Sequence, residues 1–161
     1  MMAKKPNQKW QGFHPSGRDP EPYSYGSSSQ RKLDTCHPDI KLLFNHLIQY
    51  YNITILEGWR NEETQNELYR QGRSQIKWPD GKHNHLDRNG KPESRAVDAS
   101  IWHPEEPHIH WEDPRSQLYF SGIVLGAGTA LGIPIRCGCD WNENLNVTDN
   151  WIDAWHFELK R

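Results

Sequence analysis

Three short stretches of the chain carry side chains able to bind a metal ion or move a proton. They are Lys82-His83-Asn84-His85, the acid Asp98 within Arg95-Ala96-Val97-Asp98-Ala99-Ser100-Ile101, and Asp153-Ala154-Trp155-His156-Phe157-Glu158-Leu159. An acid inside an otherwise apolar strand is costly unless it is paired or ligating. Alternation along a strand puts Ala96, Asp98 and Ser100 on one face and Val97, Ala99 and Ile101 on the other. In the same way His156 and Glu158 share a face opposite Phe157 and Leu159. Each strand then turns an apolar face to the body and one metal-competent residue to the other side, and a histidine of the 82–85 stretch would complete a His/Asp/His set. Catalytic zinc takes three such ligands and keeps a fourth position for water.

Other readings of these residues stay open. Asp98 could instead be the buried partner of Arg60 or Arg95. His83-Asn84-His85 has a superficial likeness to the active site of an HNH nuclease. Cys137-Gly138-Cys139 offers two thiols with no second pair nearby, a weak metal signal. His14, His37, His46, His103, His108 and His110 read as surface or packing residues. Trp141, Trp151 and Trp155 read as core or cleft wall, and a tryptophan-lined cleft would suit a sugar–peptide polymer.

The elements that must hold these residues can be outlined from patterning. Pro38 and the apolar series Ile40, Leu43, Phe44, Leu47, Ile48, Tyr51 predict a helix over 38–51. Ile53–Leu56 predicts a strand ending at Gly58. Asn61 as N-cap, Glu62 and Glu63 in the first turn and Gly72 at the end predict a helix over 62–71. A polar, turn-rich loop over 72–94 follows, and long loops in compact domains are usually functional. Arg95–Ile101 predicts a strand. Asp113-Pro114 opens a third helix whose apolar face is Phe120, Ile123, Val124, Ala127 and Leu131, ending near Gly132. Ile133–Arg136 and Trp155–Leu159 predict two further strands. The expected class is α+β: a small antiparallel sheet backed by about three helices. Residues 1–26 read as a polar arm whose aromatics Trp10, Phe13, Tyr23 and Tyr25 could dock on the body, and 27–161 as the folded domain.

Composition narrows the functional classes. The chain has 161 residues, a net charge of −2, 34% hydrophobic residues and a mean hydropathy of −0.97. One domain of this size can bury ~70% of its unfolded surface, so a core needs no staples. Near-neutral charge argues against nucleic-acid binding, and no apolar run is long enough to insert in a membrane. The N-terminus lacks the apolar stretch of a signal peptide, and three cysteines do not form a disulfide framework. Both suggest synthesis in a reducing cytoplasm with the cysteines unpaired.

The motif Lys82-His83-Asn84 through Pro92-Glu93-Ser94-Arg95-Ala96-Val97-Asp98, followed by Asp153-Ala154-Trp155-His156-Phe157-Glu158-Leu159, resembles the zinc D-Ala-D-Ala carboxypeptidase / L-alanyl-D-glutamate peptidase family. More closely, it is similar to phage endolysins of the L-alanyl-D-glutamate endopeptidase type. His37-Pro38-Asp39, Gly58-Trp59-Arg60, Gln65, Gly72 and Cys139-Asp140-Trp141-Asn142 support the likeness, which covers residues 27–160. It implies a hedgehog/DD-peptidase-like fold for a zinc peptidase domain over 27–161. It further implies Zn²⁺ on His83, Asp98 and His156, Asp153 as catalytic base, and Arg60 assisting substrate and transition state. Gln65, Trp141 and Trp155 are then the substrate-binding candidates. The implied activity is cleavage of an amide bond in the peptidoglycan stem peptide, L-Ala-D-Glu, by a monomer that reaches the wall after release from the cytoplasm. A D-Ala-D-Ala carboxypeptidase and a non-catalytic zinc wall-binding domain are the alternatives.

Two features depart from the family pattern. His83 and Asp98 stand fifteen residues apart, a lengthened loop that keeps His85 as a rival ligand. Cys137 and Cys139 stand where the family often has Trp or Gly. Strand parity adds an expectation: Asp153 and His156 would face opposite ways on a regular strand, so Asp153 should lie in a loop and His156 at the strand entry.

Overall fold

A computed structural model describes residues 22–113, 115–147 and 152–160. In chain order the elements are α1 (Ser27–Asp34), α2 (Pro38–Leu47), β1 (Ile53–Glu57), α3 (Glu62–Arg70), a 3₁₀ turn (Lys82–Asn84), β2 (Ala96–Ile101), α4 (Arg115–Leu131), β3 (Ile135–Gly138) and β4 (Asp153–Leu159). The helix starts follow local capping chemistry. His37 Nδ1 accepts the Asp39 N–H ahead of Pro38, Asn61 Oδ1 accepts the Thr64 N–H at the head of α3, and Asp113 Oδ1 accepts the Arg115 N–H at the head of α4. Residues 1–21, with Trp10, Phe13 and His14, lie outside the described residues, as do Pro114 and Trp151.

One helix was not expected from patterning. The segment Ser27–Asp34 has little apolar periodicity, and tertiary contact holds it: Leu33 is buried in the core, and Ser29 Oγ accepts the N–H of Ile55 on β1 at 3.0 Å. Tyr23 and Tyr25 also pack on the core, and the Tyr25 hydroxyl donates to the Phe44 carbonyl at 2.8 Å. The second helix stops at Leu47 rather than 51, since the chain turns through 48–51 before entering β1.

The strands form one sheet in the order β1-β2-β4-β3, with every neighbouring pair antiparallel. β4 is the last strand in sequence yet interior in the sheet. Val97, Ala99, Phe157 and Leu159 meet Leu43, Phe44, Phe120 and Val124 from α2 and α4 in the core. Phe157 sits at its middle, edge-on to Phe44 and to Phe120, both at 5.9 Å. The class is α+β, as patterning indicated. No helix among the described residues is long and apolar enough to cross a membrane.

Contrary to the expectation of unpaired cysteines, Cys137 and Cys139 are joined by a disulfide, and Cys36 is free and buried. Gly138 between them passes close to the Asp153 carbonyl and the Trp141 ring, where a Cβ would collide. The flanking Cα atoms stand 5.2 Å apart, within disulfide reach, which the sequence spacing alone did not disclose.

Candidate metal centre

Strand register delivers the first two residues of the site. Asp98 on β2 lies directly opposite His156 on β4, and two residues further Glu158 lies opposite both Ala96 on β2 and Arg136 on β3. The third comes from the long loop, whose 3₁₀ turn is tied down on both sides. The Arg60 N–H donates to the His83 carbonyl at 2.9 Å, the Arg95 N–H donates to the Lys82 carbonyl at 2.8 Å, and Asn84 Oδ1 accepts the Gly81 N–H at 3.1 Å. Asn84 thus holds the turn together, its side chain turned inward to Gly81, Arg60 and Gln65.

His83 Nε2, His156 Nδ1 and Asp98 Oδ1 converge. The two nitrogens are 3.3 Å apart and stand 3.2 and 3.0 Å from the carboxylate oxygen. The outer nitrogens are committed elsewhere: His83 Nδ1 donates to the Gly58 carbonyl at 2.6 Å, and His156 Nε2 is 3.0 Å from Glu158 Oε2. Arg136 grips the other Glu158 oxygen with Nε at 2.9 Å and a terminal nitrogen at 2.7 Å. The second Asp98 oxygen takes an Arg60 N–H at 2.7 Å. Both readings of Asp98 are therefore realised, one oxygen in the cluster and one on Arg60. His85 is apart from the cluster, with Nδ1 at 3.2 Å from the Glu93 carbonyl, so of the two rival histidines His83 stands in the group.

The remaining candidates divide. Asp153 lies within β4 rather than in a loop. The pairing steps from Cys137 opposite Phe157 to Gly138 opposite Asp153, so an irregularity in β4 absorbs the parity conflict. Trp141 packs against His156, with centroids 5.3 Å apart, and the Arg136 guanidinium sits over the Trp141 ring at 5.4 Å. Trp155 packs against the core and against Trp111 at 5.4 Å. Gln65 departs from the expected substrate role: it is 2% exposed, donates to Ser74 Oγ and the Ile76 carbonyl, and accepts from Asn84. Its amide ties the long loop to α3. Glu158 and Arg136 were not singled out by sequence, although the two-residue spacing of His156 and Glu158 on a strand was the available signal.

Electrostatics follow from burial and proximity. Burial alone would raise the Asp98 carboxyl, but the His83 and His156 imidazoles outweigh it and hold Asp98 well below the carboxylate range. Burial would lower His156, but hydrogen bonds to Asp98 and Glu158 push it up to about 9. Burial raises Asp153, with the nearby Asp98 charge adding to it.

The donor set matches a tetrahedral ion. Bonds of ~2.0–2.1 Å to N and O imply donor separations of about 3.3 Å, and the three observed separations lie at 3.0–3.3 Å. Two imidazole nitrogens this close, each with its partner nitrogen already bonded outward, need a proton or a cation between them. Two imidazoles and one carboxylate make a donor set suited to zinc.

The chain is similar to known peptidases. The family described as phage L-alanyl-D-glutamate peptidase matches residues 22–160. The L-alanyl-D-glutamate peptidase of Escherichia phage T5 is 25% identical over 143 residues, spanning 85% of this chain and 98% of that protein. The crystal structure of the Serratia marcescens L-Ala D-Glu endopeptidase ChiX has the same fold, with a TM-score of 0.63 at 22% identity over 84% of this chain and 90% of that one.

Proposed function

The chain belongs to the phage L-alanyl-D-glutamate peptidase family, and from that premise we propose that it hydrolyses the L-Ala-D-Glu bond of the peptidoglycan stem peptide with zinc held by His83, Asp98 and His156. The observation that carries this reading is the convergence of three donor atoms at 3.0–3.3 Å beside a half-buried acid, Asp153. When bound, zinc would supply a Lewis acid for the scissile carbonyl and acidify a water toward a pKa of ~7. Asp153 acts as general base: it takes a proton from the attacking water and returns it to the leaving amine of D-Glu. Its raised pKa brings it closer to the range in which a carboxyl both accepts and releases a proton.

Arg60 steadies Asp98 through one guanidinium nitrogen and contributes positive charge where the substrate oxyanion or carboxylate develops. The Trp141 and Trp155 rings wall the substrate cleft. Action on the wall follows release from the cytoplasm by a separate agent, and the protein works as a monomer without nucleic-acid or lipid contact.

Mass spectrometry of muropeptides after digestion of purified sacculi tests this reading. The expected product pair carries a new carboxyl on L-Ala and a new amine on D-Glu, is lost with chelator and returns with zinc. Release of a single terminal D-alanine would instead identify a carboxypeptidase. Intact zinc binding without any new product would identify a wall-binding domain.

A further inference from the structure

The His156 imidazole can donate or accept at either nitrogen, yet a ligand must present a bare lone pair at one of them. For His83 the choice is made by main chain: the Gly58 carbonyl can only accept, so Nδ1 carries the hydrogen and Nε2 faces the cluster. His156 has no main-chain partner of this kind. Its outer nitrogen meets Glu158 Oε2 at 3.0 Å, and Glu158 is 6% exposed. The carboxylate is turned by Arg136, whose two N–H groups both end on Oε1, so Oε2 is the atom presented to the ring. Arg136 and Glu158 are direct cross-strand neighbours, so this arrangement is built into the sheet.

We propose that Glu158, oriented by Arg136, is a positioning residue that fixes His156 with hydrogen on Nε2 and thereby makes Nδ1 the metal donor. The proposal rests on the reading of His156 as a zinc ligand. Glu158 does not touch the ion or the substrate; it acts through the imidazole.

The consequence is an asymmetry that a packing role would not produce. Gln at position 158 has nearly the same shape but one donor end and one acceptor end. Arg136 has only donors, so it claims the amide oxygen and turns the NH₂ toward His156 Nε2. The ring must then accept at Nε2 and carry its hydrogen on Nδ1, where the metal should be. Removing Arg136 as well frees the amide to turn over and present its oxygen to the ring. The second substitution should therefore repair the first.

The test measures zinc affinity by competition with a chromophoric chelator, and the Co²⁺ ligand-field spectrum, on the full chain. Wild type, Glu158→Gln, Arg136→Met and the double variant are compared, with near-ultraviolet circular dichroism to check the fold. Glu158→Gln is expected to lose about 10- to 100-fold in affinity with an altered Co²⁺ spectrum. The double variant should recover most of that loss and the wild-type spectrum, and Arg136→Met alone should stay within a few-fold of wild type. Wild-type affinity in Glu158→Gln would overturn the proposal, as would a double variant no better than the single one. A wild-type chain that takes up no zinc would overturn the ligand reading itself and this proposal with it, a result distinct from the other two.

Discussion

In the proposed mechanism Asp153 carries opposite demands from stability and from chemistry. Its carboxyl is raised chiefly by burial, so the folded protein favours the protonated form. A raised folded-state pKa gives stability that is present below the ordinary carboxylate pKa and is lost as pH rises through the folded value. At neutral pH the ionised group therefore destabilises the metal-free fold. Asp153→Asn should melt at a higher temperature than wild type at pH 7 in the presence of chelator, with the gap closing toward pH 3. The same variant should keep its zinc and lose activity by on the order of 10²- to 10⁴-fold. Equal melting temperatures at pH 7, or native turnover, would refute the respective half of this account.

Gln65 was a substrate candidate through the family resemblance alone, and both ends of its amide are spent inside the protein. Gln65→Leu roughly keeps the volume and removes the hydrogen bonds from the amide to Ser74 Oγ and the Ile76 carbonyl and the one it accepts from Asn84, at a cost of about 1–3 kcal/mol. Limited proteolysis should show faster cutting within residues 72–94 than in wild type. Unchanged cutting would show that the amide does not restrain the loop.

At the scale of elements, what patterning could show was which strand faces are apolar. The period of two put Asp98, His156 and Glu158 opposite Val97, Phe157 and Leu159, and the sheet keeps that division. It could not show the irregularity in β4, where one step along β3 spans Phe157 to Asp153, because extra residues within a strand leave no distinct mark in the period. It also could not show α1, whose helix depends on Leu33 and Ser29 meeting β1 and the core rather than on its own apolar stripe. The choice between His83 and His85 was equally hidden, since both sit in one turn and only its anchoring to Arg60 and Arg95 turns His83 inward.

The turn after β1 makes a further prediction at this scale. Gly58 aims its carbonyl at His83 Nδ1, and a Cβ there would collide with the Lys32 carbonyl and the Thr35 hydroxyl. Lys32 is within α1 and Thr35 caps it, so neither can easily withdraw. Gly58→Ala should cost about 1–3 kcal/mol through this overpacking and tilt His83, weakening zinc binding more than an equally destabilising change in the distant α4. Chemical denaturation and chelator competition on the same variant separate the two effects. Wild-type zinc affinity in a destabilised Gly58→Ala would show that the ring does not depend on this carbonyl.

Taken whole, the molecule joins its three candidate ligands across distant parts of the chain: His83 from a loop, Asp98 from β2 and His156 from β4. An ion that needs all three binds only the folded state, so its binding free energy adds to folding. Zinc at about a hundred times its dissociation constant should add about 2.7 kcal/mol, for an expected rise in melting temperature of several degrees in a domain of this size. The midpoint should keep rising with the logarithm of free zinc. A melting temperature indifferent to zinc would argue that the three donors do not act as one site.

The interior position of β4 ties the proposed site to completion of the sheet. Until β4 inserts, β2 and β3 have no common neighbour, and the sheet is a β1-β2 hairpin-like pair on one side with a lone β3 on the other. Closing that gap joins residues about as far apart as Asp98 and His156, a contact of long sequence separation whose loop entropy must be met first and which is slow to form. Asp153, His156 and Glu158 all ride on the strand that arrives in this step. A chain whose β4 has not joined the sheet keeps its helices, its loop and half its sheet without Asp153, His156 and Glu158 in place, so completing the sheet and assembling the proposed site are one structural step.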